Sequence, residues 1–162
     1  MVEEVPLSIF INGRHYSTAM MSPGMEREFI MGHLFSEGMV RNLDELISLD
    51  LEGQIARAMV HSPVRAMAPR KAIVSGCGGG SSFLDPAGLP RIESHLAVDP
   101  DDILAAVAAI SSSDLHRAAG GTHSVGLFSQ GGQAAIIAED IGRHNALDKA
   151  IGHCLSHDQP LE

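Results

Sequence analysis

Residues 5–20, VPLSIFINGRHYSTAM, leave the chain little choice of local structure. Val5, Leu7, Ile9 and Ile11 alternate with Ser8 and Phe10, the period of a strand with one buried face. Asn12-Gly13 follows, and both positions tolerate the positive φ that a two-residue hairpin turn demands. His15 to Met20 then returns as a second strand. At 22–40 the period changes. Ser22 before Pro23 offers a helix N-cap with proline in the first helical position. Met25, Phe29, Ile30, His33 and Leu34 share one helical face, and Gly38 ends the run. His33 reads most simply as a half-buried residue of that helix.

Further along, LDELISLDL (43–51) suits a short helix or a strand, and QIARAMVH (54–61) alternates like a strand. SPVRAMAPRK (62–71) contains two prolines and reads as a linker. It divides a hairpin-plus-helix region, 1–66, from a second region, 67–162. AIVSGCGGGSSF (72–83) is a short apolar strand running into a glycine-rich loop. DPDDILAAVAAISSS (99–113) is a helix in which Asp99 caps, Pro100 takes the first position and acids fill the first turn. Ile103, Val107 and Ile110 are its expected buried face. GGTHSVGLF (120–128), SQGG and QAAIIAED (133–140) read as a second hairpin; Gly142 breaks it, and RHNALDKAIGHCL is a helix. No internal repeat is visible.

The length of 162 residues suits one domain, or one domain with a small appendage. A chain of this size buries roughly 70% of its unfolded surface, enough for a real core. Eleven Lys and Arg against 20 Asp and Glu give a net charge of −9, which argues against a broad nucleic-acid-binding face. A local basic pocket for a phosphorylated molecule stays compatible with it. Two cysteines make no disulfide framework. The opening MVEEVPLSIF is acidic rather than signal-like, and no apolar stretch approaches the ~18 residues of a membrane span. The expectation is a soluble protein in a reducing cytoplasm, without membrane or nucleic-acid partners.

Cys77 is the strongest single candidate for chemistry. Its flanking glycines in SGCGGGSS leave the thiol accessible, and nearby backbone N–H groups lower a thiol pKa, which favours a nucleophile or sulfur carrier over a small core residue. Cys154 is spaced with Leu147, Ala150 and Ile151 on the last helix, a core-face position, and reads as inert. Position 80 is glycine, so Cys77 has no C-x-x-C partner, and the zinc deaminase signature is absent. The nine histidines are read as scattered, with none pairing at i, i+4 to a second ligand, so no metal is expected. A cysteine hydrolase would need a histidine base such as His123 or His144 beside Cys77. In EDIGRHNALDKAIG (139–152), Asp140 can cap the helix while Arg143, Asp148 and Lys149 form solvated pairs. A helix N-terminus after Gly142 is equally a natural anion site, to which Arg143 would add a bidentate donor. Spacing leaves both readings open.

GGTHSVGLF followed by EDIGRHNALDKAIG resembles the FdhD family, the formate dehydrogenase accessory sulfurtransferases. Residues 4–40, with their S-E-G helix end, and VSGCGGG are similar to the same family, in the same order along the chain. The resemblance implies an α/β (α+β) fold: a cytidine-deaminase-like mixed sheet flanked by helices, preceded by a small β-rich N-terminal region. It implies that Cys77 takes sulfur from a cysteine desulfurase as a persulfide and passes it to the bis-molybdopterin guanine dinucleotide form of the molybdenum cofactor, for formate dehydrogenase. A thiolate attacking a persulfide sulfur suits an exposed, low-pKa cysteine. The segment that opens the last helix then becomes a wall of the cofactor pocket. Gly121, Thr122 and His123 accompany it, Asp140 and Gly142 shape the turn, and Arg143, His144 and Lys149 are available to anionic groups.

Two departures qualify the resemblance. Gly80 stands where many relatives carry a second cysteine, and the sequence stops at HDQPLE where relatives continue. An uncovered sheet edge would follow, a liability that a homodimer relieves. The rival to a sulfur carrier is a non-catalytic module that holds cofactor or partner enzyme; a thiol oxidoreductase fits worse because it normally needs the second cysteine.

Overall fold

The structure, a computed structural model, describes residues 2–61, 94–159 and 161. The expected linker, the strand after it and the glycine-rich loop with Cys77 and Gly80 lie outside the described residues. The first hairpin forms as expected: β1 (Val5–Ile11) pairs antiparallel with β2 (Arg14–Met21) across Asn12 (φ 49°) and Gly13 (φ 78°). Leu7, Ile9 and Ile11 are all at most 2% exposed, as their alternation requires. A 3₁₀ turn (Leu43–Glu45) runs into β3 (Leu46–Glu52), so the ambiguous 43–51 stretch is both turn and strand. β4 (Ile55–Val60) pairs antiparallel with β3 and parallel with β1. The resulting mixed sheet has the order β2-β1-β4-β3.

Helix α1 (Glu26–Ser36) packs its Phe29, Ile30 and Leu34 into this sheet's core. Its start differs from the expectation. The N-cap position is Met25 in the left-handed region (φ 60°), and Ser22 lies outside the helix because its groups bond elsewhere, as described below. Gly38 (φ 65°) does end the helix, its N–H bonding to Phe35 O at 2.8 Å.

The second sheet is a hairpin of β5 (His123–Phe128) and β6 (Ala134–Asp140). Two helices precede it: α2 (Pro100–Ser111), capped by Asp99 accepting from Asp101 N–H at 2.9 Å, and the short α3 (Asp114–Ala119), which the sequence did not announce. α2 meets β5 where Ile110 lies over Gly126, a position at which an added Cβ would sit 3.0 Å from Ile110 Cγ1. Its expected core face is not buried: Ile103 is 52% and Val107 55% exposed, because the helix reaches the narrow hairpin along its Ile110 side.

Helix α4 (Arg143–Ser156) joins the two halves. It packs along β5 and β6 and crosses α1 at Gly32 and Gly152. A Cβ on Gly32 would meet the Asp148 carbonyl oxygen at 1.8 Å, and one on Gly152 would meet the Glu28 carbonyl oxygen at 1.8 Å. Only glycine on both helices permits backbones this close. Cys154 is buried on the same helix, as expected, and burial pushes its thiol pKa up, which disfavours the thiolate. Leu147, expected beside it in the core, is instead 39% exposed; the buried face runs through Asn145, Ala146, Lys149 and Ala150.

Candidate functional site

The turn from β6 into α4 is held by one carboxylate. Asp140 is fully buried, and each of its oxygens accepts two hydrogen bonds. Oδ1 takes Gly142 N–H (2.8 Å) and Asn145 Nδ2 (3.0 Å); Oδ2 takes Ser22 N–H (3.0 Å) and the Lys149 ammonium (2.8 Å). Gly142 is confined as well, since a Cβ there would lie 2.8 Å from Asn145 Nδ2. Asp140 thus shapes the turn without occupying the N-cap of α4, which is Gly142 and has no side-chain cap.

The solvated-pair reading of this helix fails for two residues. Lys149 is 1% exposed and directs its ammonium at Asp140, Ser22 O (2.9 Å) and Glu139 O (3.3 Å), which accounts for all three of its protons. Asp148 is 7% exposed and its Oδ2 lies 2.9 Å from His33 Nδ1 across the α1–α4 crossing. His33 is accordingly buried rather than half-buried, stacked on Phe29, and its Nε2 has no hydrogen-bond partner among the described residues.

The N-terminal hairpin is stitched to this turn through residues 20–22. Met20 O accepts from Asn145 Nδ2 at 2.7 Å, and Ser22 Oγ accepts from Ile141 N–H at 3.1 Å. Ser22 therefore uses its amide, carbonyl and hydroxyl to bind a segment about 120 residues distant. Its position before proline suggested a cap of its own helix; only the fold reveals that it fastens another helix's entry.

Glu139 fixes the neighbouring layer. Its carboxylate accepts from Ser113 Oγ (2.8 Å), Leu115 N–H (3.0 Å), His116 N–H (2.6 Å) and Ser124 Oγ (3.3 Å). Burial by itself pushes this carboxyl's pKa up, but the hydrogen bonds, from Ser113 first, outweigh burial and hold it below the usual value of 4.5. His116 Nδ1 in turn donates to Thr122 O at 3.0 Å. Sequence reasoning missed Ser22, Asn145, Glu139 and His116 as site-builders, although Asn145 and Glu139 lie inside the stretch it singled out.

The two segments expected to form one wall do meet. His123 pairs with Asp140 in the β5–β6 register, which sets Gly121–His123 beside the turn into α4. Gly121 and His123 are exposed, Thr122 is buried with its hydroxyl lacking a partner among the described residues, and Arg143 and His144 are exposed on the first turn of α4. The arrangement is a hairpin rim and an uncapped helix N-terminus side by side, with a neutralised ion pair beneath. Such an edge suits an anion, because the helix dipole and the first-turn N–H groups favour negative charge.

A family model described as the FdhD/NarQ family matches residues 2–162. The chain belongs to the FdhD/NarQ family. The relatives it resembles include the sulfur carrier protein FdhD of Geobacillus kaustophilus, 31% identical with 98% of this chain and 64% of the relative covered. That of Bacillus pumilus is 32% identical, with 99% and 64% covered. That of Sulfurisphaera tokodaii is 27% identical, with 96% and 62% covered. The chain therefore spans about two thirds of the length of the curated relatives it matches. A crystal structure from Desulfotalea psychrophila, described as a formate dehydrogenase accessory protein, shares the fold with a TM-score of 0.66 at 22% identity, over 94% of this chain and 57% of that one. A mixed α/β architecture with a mixed sheet and flanking helices is thus common to both. No helix among the described residues is long and apolar enough to cross a membrane.

Proposed function

We propose that this chain carries sulfur for formate dehydrogenase maturation, with Cys77 as the carrier thiol. The observation that carries the reading is the family match over residues 2–162, whose relatives are named sulfur carrier proteins. The Cys77 thiolate attacks the terminal sulfur of a persulfide on a cysteine desulfurase. A new S–S bond forms on Cys77, the desulfurase thiolate leaves, and the step is redox-neutral overall. The acceptor is the bis-molybdopterin guanine dinucleotide molybdenum cofactor, bound as substrate, and the setting is the cytoplasm. Gly121, Thr122, His123, Gly142, Arg143 and His144 line the pocket in this reading. The uncapped α4 N-terminus and Arg143 meet phosphate oxygens, while Asp140 and Lys149 hold the wall in place from behind.

The test is mass spectrometry of the protein incubated with a desulfurase and cysteine. One added sulfur is expected on the wild type and on Cys154→Ala, and none on Cys77→Ala; sulfur retained in Cys77→Ala sinks the proposal. The exposed rim supports a second reading, in which the chain only holds cofactor or partner. Guanine-nucleotide binding that weakens in Arg143→Ala, with no sulfur gained at Cys77, selects it.

A further inference from the structure

Two histidines lie at the far end of α4 from its entry turn. His153 and His157 are four residues apart at the C-terminal end of α4, so they share one helix face, contrary to the expectation that no histidines pair at this spacing. Their rings stack with centroids 4.1 Å apart and planes 25° apart. His153 is half-buried and His157 exposed.

The hydrogen bonds around His157 fix its tautomer. Its Nδ1 lies 2.8 Å from His153 O, and a carbonyl oxygen only accepts. Ser156 Oγ donates its own proton to His153 O at 2.9 Å, so toward His157 Nδ1, 3.0 Å away, it too acts as acceptor. Both contacts place the proton on Nδ1 and leave the lone pair on Nε2. A ring N–H held by a backbone carbonyl is the outer-shell arrangement that orients a histidine for metal ligation and raises its basicity. The ring nitrogens of His153 make no hydrogen bond among the described residues, so they are available as well. The site also sits at the negative end of the α4 dipole, in a chain of net charge −9.

We propose that His153 and His157 form a solvent-open chelate site for a borderline divalent transition ion, of the Zn²⁺, Ni²⁺ and Cu²⁺ class. Two imidazoles suit these ions rather than Mg²⁺ or Ca²⁺, which take oxygen ligands. Metal–nitrogen bonds of about 2.0–2.1 Å lie in the ring planes, so the two rings must leave their stacked arrangement and turn edge-on to the ion, a rearrangement that the i, i+4 spacing and the exposure of His157 allow. No group of three or more His, Cys, Asp or Glu among the described residues is placed to hold a metal, so water completes the coordination. The chelate ties the last turn of α4 to its C-cap and stabilises the folded chain by mass action.

Titration of the tag-free full chain with Ni²⁺ and with Zn²⁺ by calorimetry tests this. Wild type and the exposed-histidine control His61→Gln should bind one ion per chain with equal affinity. His153→Gln and His157→Gln should each weaken binding at least tenfold, and both should lose the rise of a few degrees in Tm that the ion gives the wild type. Traces of Cu²⁺ should broaden NMR resonances first at residues 153–158. Unchanged affinity in the His153→Gln/His157→Gln double variant, broadening centred on another histidine, or no binding by the wild type would each overturn the proposal.

Discussion

The four-stranded sheet and the two-stranded sheet are built from similar apolar residues and end with different degrees of burial. Leu7, Ile9 and Ile11 of β1 share one buried core with Phe29, Ile30 and Leu34 of α1 and are at most 2% exposed. α2, on β5, has no buried residue, and Leu96, Val98, Ile103, Leu104 and Val107 are between 49% and 68% exposed. Both helices carry two acids in the first turn, but α2 has the better local signals, with its aspartate cap and Pro100 at the first position. α1 has no side-chain cap and starts from a left-handed Met25. Burial in this chain therefore follows what an element packs against, not how well its ends are capped. Helices owe most of their stability in proteins to tertiary packing.

The sharpest way to break that contrast is at the seam between the halves. Asp140→Asn is nearly isosteric, but both Asp140 oxygens are already surrounded by donors. Whichever way the amide turns, its NH₂ faces two N–H groups, and the Lys149 ammonium loses its counter-charge while buried. Breaking one partner of a buried ion pair costs about 3–5 kcal/mol. Urea unfolding should show this loss; a loss under 1 kcal/mol would mean that the pair is not enclosed as described.

The α1–α4 crossing comes next. A methyl group at Gly32 must push the Asp148 carbonyl away, and neither backbone can yield without separating the helices. Gly32→Ala should cost about 3 kcal/mol, the upper part of the usual range for overpacking. Gly152→Ala should cost a similar amount alone but less in the Gly32→Ala background, because the helices have already parted. Strict additivity of the two would count against a shared contact.

Much of this was legible in the residues and some was not. Alternation and Asn12-Gly13 suffice for β1 and β2 because strand period and turn chemistry are local properties. α4 was legible for the same reason, but its inward face was not. Leu147 looked like core and is outside, while Lys149 and Asp148 looked like surface and are buried. A hydrophobic pattern cannot foresee a buried lysine whose partners are Asp140, Ser22 O and Glu139 O, since two of these are carbonyls that no side-chain code announces. Ser22 misled in the same way: the partner of its hydroxyl, the Ile141 amide, is 119 residues away. That Gly121–His123 comes back near the α4 entry was readable from a hairpin turning at SQGG, but its register was not: such a turn alone would put 123 opposite 138, and the pairing, irregular at Leu127/Phe128, sets it opposite 140.

Acid should act on the second half through Glu139. Its folded pKa is lowered, so its contribution to stability is fully present above the unfolded value of about 4.5 and is lost as pH falls through the folded value. Glu139→Gln removes that contribution. The stability gap between wild type and variant should be constant near neutrality and narrow progressively below pH 4.5. A gap that widens in acid would require a raised pKa and would refute the hydrogen-bond account. The effect should be modest, because the carboxylate remains partly open to solvent screening.

The smallest expected change lies on α2. Leu104, 68% exposed, loses little water contact on folding, so Leu104→Ser should alter stability by no more than about 0.5 kcal/mol, against several for a buried leucine. The exposed leucine nevertheless has a physical consequence, because grouped apolar residues on a helix favour association. Leu104→Ser should therefore leave the urea midpoint unchanged at low protein concentration while raising the concentration at which light scattering first appears. A midpoint that falls by the equivalent of 2 kcal/mol would show that this face is covered in solution, and the contrast between the halves would then be one of partners rather than of burial.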